Sequence, residues 1–341
     1  MADAAPAPLS RLLSGTRVLA LVGLAKNTGK TVTLAAILAE HAKAGRRVGV
    51  TSIGRDGEEH DVIDARISKP RIVLQKGSLV ASTGALIRAS GVAHERLAQT
   101  GVRTPLGEVI IARLAEQGAV EVAGPSAAED VREVGEEMIG FGAEHVLIDG
   151  SIDRRAAASP AIADGLVMAT GAVLAEDIEA VVAATKDAVD LLRLPVAGEN
   201  AGEQPITVAR RLALDAEPTE IATLLREHPQ AMTLRVEGAL GERFLEGIMG
   251  SRTERAGREL RIVVGDPTKV FLSRRGPGWY RRQGLCIEVL QLVGLKAITI
   301  NPIAPQSHRF DSQQLRELIE AAIPDVPVLD VLDPSYLALA K

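Results

Sequence analysis

The segment Gly23-Leu-Ala-Lys-Asn-Thr-Gly-Lys-Thr31 constrains this chain more than any other. An apolar run, Arg17-Val-Leu-Ala-Leu-Val-Gly23, precedes it and reads as a buried strand. Residues 29–44 follow, with Leu34, Ile37, Leu38 and His41 at the spacing of one helical face. Gly45 stops that helix, and Arg47-Val-Gly-Val-Thr-Ser-Ile53 reads as a second strand. Residues 17–53 are therefore expected to form a βαβ unit, which requires parallel strands and a right-handed crossover.

A glycine loop between a strand and a helix is the setting in which backbone amides converge on a phosphate. Gly29 lets the backbone approach closely, Lys30 sends its ammonium to the β- and γ-phosphates, and the Thr31 hydroxyl faces Mg²⁺. Gly23, Lys26, Asn27, Thr28 and Val32 complete the expected nucleotide-binding set. The commonest form of this motif has four residues between its glycines; here there are five, Leu24 to Thr28. The longer loop resembles that of dethiobiotin synthetase, a P-loop protein grouped with the MinD and ParA ATPases. Those ATPases carry a further lysine five residues before the loop lysine; Lys26 stands four before Lys30.

Phosphoryl transfer needs carboxylates to hold Mg²⁺ and position a nucleophile. Asp149 ends the apolar run Val146-Leu-Ile-Asp149, where an open α/β sheet faces its ligand crevice; the alternative is an Asp that caps a turn. The second carboxylate is expected at Asp56, in the acidic stretch after the second strand, with Asp61 in reserve. Lys30, Asp56 and Asp149 form the expected catalytic set, and Thr31, Asp56 and Asp149 the expected Mg²⁺ contacts. Asp153 and Arg154 follow Asp149 as candidate switch residues. Asn301 ends the apolar run Ile298-Thr-Ile-Asn301 before Pro302. In dethiobiotin-synthetase-like proteins such an Asn contacts adenine; otherwise it shapes the turn.

The rest of the chain alternates strands and helices. Strands are expected within 71–74, 79–82, 120–125, 145–149, 165–170, 232–237, 260–265, 296–301 and 326–330. Helices are expected at 104–117, after Ser126 as cap, and at 177–193, 218–227, 241–249 and 311–323. Aromatic residues are only 2%, so the core must be aliphatic, which suits helices packed on a parallel sheet. The fold class is thus α/β: a P-loop NTPase-like, mainly parallel sheet flanked by helices. Residues 1–16 read as a flexible or helical lead-in and 17–200 as the nucleotide-binding domain. Residues 198–205 read as a linker, and 206–341 as a C-terminal α/β lobe.

The formal charge of −5 argues against a nucleic-acid partner. Cys286 is the only cysteine, so no intrachain disulfide forms. Without a long apolar run or a secretory leader, no membrane association is expected and the cytoplasm is the expected compartment. The six histidines show no metal-ligand spacing. Arg274-Arg-Gly-Pro-Gly-Trp-Tyr-Arg-Arg282 reads as a basic loop that either holds an anion or a partner or is simply solvated.

Several stretches together resemble one family. They are the 23–31 loop, Thr51-Ser-Ile-Gly-Arg-Asp-Gly-Glu58, Lys69-Pro-Arg-Ile72, Val120-Glu-Val-Ala-Gly-Pro125 and Ile300-Asn-Pro-Ile-Ala-Pro305. The chain resembles, from about residue 17 to 330, the P-loop subunit of the lysine 5,6-aminomutase reactivase. That resemblance implies an ATPase that uses ATP and Mg²⁺ to release damaged cobalamin from an adenosylcobalamin enzyme in lysine degradation. It implies two partners, a MutS-like ATPase subunit and the aminomutase as client, and it leaves a homo-oligomer open. Two other readings compete: an ATP-dependent ligase acting on a small carboxylate, and a non-catalytic nucleotide-binding scaffold.

Overall fold

A computed structural model describes residues 8–53, 71–150, 157–198, 205–251, 259–305 and 308–340. The run Val18–Gly23 is apolar on both faces and buried at every position, so it lies inside a sheet. Among the described residues that sheet has nine strands. Their order is Val328–Leu329, Leu295–Asn301, Gly165–Gly171, Val18–Gly23, His145–Asp149, Val48–Ser52, Leu79–Thr83, Gly107–Leu114 and His94–Thr104. Neighbours run parallel from the first to Leu79–Thr83. The last two strands form an antiparallel hairpin on that edge. The chain is thus α/β, with a large, mostly parallel sheet flanked by helices.

The helix Lys30–Lys43 buries Thr33, Leu34, Ile37, Leu38, Glu40 and His41, a stripe at helical spacing. It ends in a Schellman turn: Gly45 N–H donates to Ala42 O at 3.1 Å and Arg46 N–H to His41 O at 2.9 Å. The helix Ala128–Gly140 buries Val131, Val134, Gly135 and Met138. Its cap position is Ala127, one residue past the expected Ser126.

Two readings of this region are corrected. Residues 104–117 are not a helix. Thr104 ends one strand, Pro105 and Leu106 turn, and Gly107–Leu114 pairs with Leu79–Thr83. The β-branched run Val109, Ile110, Ile111 packs better on a pleated surface than on a helix, and Thr104 Oγ1 closes the turn onto Gly107 O at 3.0 Å. The strand expected at 120–125 lies instead at Gly118–Val120, overlapping it at Val120 alone, because serine side chains take over the backbone partners of the residues that follow.

The lead-in, too, is ordered within its described part. Leu9 and Leu13 are fully buried, and the Glu40 carboxylate accepts from Leu9 N–H at 3.2 Å and Ser10 N–H at 2.7 Å. The Tyr336 hydroxyl, from the C-terminal helix Pro334–Ala340, donates to the same carboxylate.

The chain divides into two compact units, residues 1–185 with 294–341, and residues 186–293. The expected boundary near 200 and the expected 206–341 lobe therefore give way to an inserted unit. Residues 294–341 return to the first sheet, where Leu295–Asn301 pairs with Gly165–Gly171. Most of the expected linker, residues 199–204, lies outside the described residues.

The second unit has a four-stranded parallel sheet in chain order: Ile206–Val208, Thr233–Val236, Leu260–Val264 and Leu285–Val289. Helices Arg210–Asp215, Pro218–Glu227, Glu242–Gly250 and Pro277–Arg282 accompany it. The last of these replaces most of the expected basic loop. Pro277 at its first turn has the φ a helix start needs. The core of this unit is built on Ile221, Phe244, Ile262, Tyr280 and Leu285. Among the described residues no helix is long and apolar enough to cross a membrane.

Candidate functional site

The loop after Val18–Gly23 is fixed by its own backbone and by two neighbouring strands. Leu24 N–H donates to Ala169 O at 2.9 Å, tying the loop to Gly165–Gly171. Thr28 is buried, and its hydroxyl donates to Ala25 O at 3.0 Å. Asn27 sits at φ 66°, the only non-glycine residue with positive φ among those described. Gly29 follows at φ 90° and turns the chain into the helix.

Among the described residues no side chain makes a capping hydrogen bond at the start of that helix. Gly29 O accepts from Thr33 N–H at 2.9 Å and from Thr33 Oγ1 at 3.2 Å. The amides of Lys30, Thr31 and Val32 have no acceptor inside the helix, and the helix dipole puts partial positive charge there. Thr31 and Val32 are exposed and Lys30 partly so, which leaves this end accessible to an anion. Gly23 is buried beneath the loop, and Lys26 is exposed on it.

Asp149 reaches the loop through strand order. His145–Asp149 lies between Val18–Gly23 and Val48–Ser52, with Asp149 in register with Leu21 and Ser52. Its carboxylate accepts from the Lys30 ammonium, and both side chains are about one-fifth exposed, at 21% and 23%. A lysine and an aspartate 119 residues apart thus form one ion pair at the mouth of the loop.

Asn301 also comes to the loop. Its Nδ2 donates to Asn27 O at 2.8 Å, and its Oδ1 accepts from Ile303 N–H at 3.1 Å. Its Cβ stands 3.1 Å from where a side chain on Gly29 would begin. The amide is committed to backbone on both sides, so its observed role is to brace the loop. Thr299, two residues earlier, shares a 2.7 Å hydrogen bond with Thr33. Sequence reasoning missed that pair. The signal was a threonine inside the apolar run Ala297-Ile-Thr-Ile300, because a buried hydroxyl needs a partner.

A second group of hydroxyls lines the neighbouring strand ends. Ser52 Oγ donates to Val122 O at 3.3 Å and accepts from Gly124 N–H at 3.0 Å. Ser82 Oγ donates to Glu121 O at 3.1 Å and accepts from Ala123 N–H at 2.9 Å. Thr83 Oγ1 is buried and has no hydrogen-bond partner among the described residues.

Asp56, Asp61, Asp153 and Arg154 lie outside the described residues. Among the described residues no group of three or more His, Cys, Asp or Glu gathers as a metal site. The oxygens at hand, the Asp149 carboxylate and the Thr31 hydroxyl, are hard donors. They fit Mg²⁺ shared with phosphate oxygens and water rather than a metal caged by protein.

Two histidines 104 residues apart meet at the far end of the same helix and strand. His41 Nδ1 lies 2.8 Å from Ile37 O, so it carries the proton and donates. His41 Nε2 lies 3.1 Å from His145 Nδ1, with the rings edge to face. Burial first, then the electrostatic influence of neighbouring His41 and Arg46, holds His145 below its ordinary pKa. No family model, no curated protein and no solved structure matches this chain.

Proposed function

We propose that this chain is a P-loop ATPase, binding Mg·ATP at the 23–32 loop and hydrolysing it to drive a change in a protein client. One observation carries the reading: the Lys30 ammonium sits at an uncapped helix start turned by Gly29, paired with a carboxylate from the adjacent strand end. The β- and γ-phosphates compete with Asp149 for Lys30, while the first-turn amides receive the phosphate oxygens. Thr31 and Asp149 would hold Mg²⁺, which supplies charge neutralisation at the transferring phosphoryl group. Asn301 braces the loop, and Thr299 the first turn of the helix after it, from the next strand but one.

The client reading rests on the sequence resemblance to the lysine 5,6-aminomutase reactivase. On that reading the chain works with a MutS-like ATPase partner to free damaged cobalamin from the mutase.

Calorimetric titration of Mg·ATP and Mg·GTP into the wild-type chain and Lys30→Ala tests the site. Saturable ATP binding that is lost in a folded Lys30→Ala supports it, and binding that survives the substitution refutes it. Phosphate release that rises on adding inactivated lysine 5,6-aminomutase supports the client.

A second reading is an ATP-dependent ligase, favoured by the buried, unpartnered Thr83 hydroxyl among the strand-end serines. It predicts a phosphorylated or cyclised small-molecule product besides ADP, which product analysis distinguishes.

A further inference from the structure

Residues 273–282 carry four arginines, the only tryptophan and no acid. The surface they form is held rigidly from below. The Glu242 carboxylate gathers the N–H groups of Ser273 at 2.9 Å, Arg274 at 3.1 Å and Arg275 at 3.1 Å. It also accepts the hydroxyls of Ser273 at 2.6 Å and Tyr280 at 2.9 Å. Burial opposes the ionisation of Glu242, but these donors outweigh it and hold its pKa below the usual range. Tyr280 itself is fully buried in the core of its unit.

Above this clamp the cations are presented outward. The Arg275 guanidinium stacks 4.1 Å over the Trp279 ring. Arg274 reaches Glu246 at 3.3 Å. Among the described residues Arg275, Arg281 and Arg282 have no carboxylate within ion-pair distance, and all three are exposed. Phe271, two residues before the clamp, is 47% exposed, and Leu214 is 46% exposed. They flank Gly241, which pairs with Phe271 and packs on the backbone of Leu214.

Three exposed guanidiniums that have no ion-pair carboxylate among the described residues, on a segment anchored by Glu242, match the chemistry of a binding hot spot. Arg and Trp anchors dominate such surfaces, and rigidity lowers the entropy lost on binding. Arg presents a planar fork that takes a carboxylate through two hydrogen bonds. The chain carries a net charge of −5, which repels a long polyanion but not a short acidic segment that meets only this patch. We propose that the surface formed by Arg275, Trp279, Arg281 and Arg282 docks an acidic segment of a partner protein, with an apolar side chain of that segment resting on Phe271 and Leu214. This proposal does not depend on the nucleotide site.

Trp279 is the only tryptophan, so tryptophan emission excited selectively over the two tyrosines reports on the surroundings of this one ring. The probe is a synthetic peptide of about ten residues that alternates glutamate pairs with leucine. The expected result is a saturable change in Trp279 emission that weakens as NaCl rises from about 0.05 to 0.5 M. The double substitution Arg281→Ala, Arg282→Ala leaves the stacked Arg275 in place and should weaken the peptide at least about tenfold. Its thermal unfolding should match wild type, because both side chains are exposed. A lysine-for-glutamate peptide should give no change. Three results overturn the proposal: no saturable change up to about millimolar peptide, binding indifferent to the double substitution, or tighter binding of a single-stranded oligonucleotide of equal charge.

Discussion

Replacing Gly29 with alanine tests whether the loop is braced by Asn301 or merely turned by a glycine. Gly45, at the other end of the same helix, supplies the control. Both residues have positive φ, 90° and 66°. A side chain on Gly45 would meet nothing within 4 Å, whereas one on Gly29 would begin 3.1 Å from Asn301 Cβ. Gly45→Ala therefore costs the left-handed backbone alone, about 1–2 kcal/mol. Gly29→Ala costs the same backbone penalty plus an overpacked contact of about 1–3 kcal/mol. That contact cannot be relieved by a side-chain rotation, because Asn301 Cβ is fixed to its strand. The total for Gly29→Ala is about 2–5 kcal/mol, at about 1.4 °C of melting temperature per kcal/mol for a protein of this size.

Urea unfolding followed by far-UV circular dichroism gives both values. Adding Asn301→Gly to Gly29→Ala should recover the contact, a coupling of about 1 kcal/mol or more. ATP affinity separates the two ends of the helix further: Gly29→Ala moves the amides that face the phosphate and should weaken binding at least about tenfold, and Gly45→Ala should not change it. Equal losses of stability at the two glycines, with no rescue by Asn301→Gly, would refute the brace.

Two more outcomes follow from buried polar groups. Glu40→Ala leaves Leu9 N–H and the Tyr336 hydroxyl without their shared acceptor and should lower stability by about 3–5 kcal/mol, against about 1–2 for Tyr336→Phe, as read by urea unfolding. An effect of Glu40→Ala below about 0.5 kcal/mol would mean that the two chain ends are not held by this carboxylate. His145 is held below its ordinary value of 6.5, so the unfolded chain takes up a proton before the folded chain does. Its contribution is therefore flat above 6.5, and stability falls as pH drops from 6.5 towards the folded value. His145→Gln keeps a donor for His41 Nε2 and should flatten that acid limb; an unchanged limb in a pH series of melting temperatures would assign it to other groups.

The local devices were legible because each is a short-range pattern. The strand–loop–helix corner, the helix Lys30–Lys43 and its glycine stop follow from contiguous apolar runs and helical spacing. The strands His145–Asp149 and Gly165–Gly171 were equally plain, as runs too apolar to lie at a surface. Misreadings fell where propensity and position disagreed. Thr104-Pro105 has the look of a helix start, yet the β-branched residues that follow found a sheet edge to pair with. Arg274 to Arg282 has the look of a solvated loop, yet Pro277 starts a helix that packs Tyr280 into the core.

The amino-acid sequence alone determined a βαβ corner with a lysine at its turn, an aspartate at the end of another strand, and an aliphatic α/β core. Only the tertiary structure decided that His145–Asp149 inserts between the first two strands and so sets Asp149 against Lys30. It likewise decided that the chain leaves the first sheet for residues 186–293 and returns to place Asn301 on the loop and Thr299 on the helix that follows it. The physical reason is that hydrophobic period fixes which face of an element is buried, whereas strand order depends on contacts between residues hundreds apart, and parallel runs of valine, leucine and isoleucine all look alike to one another.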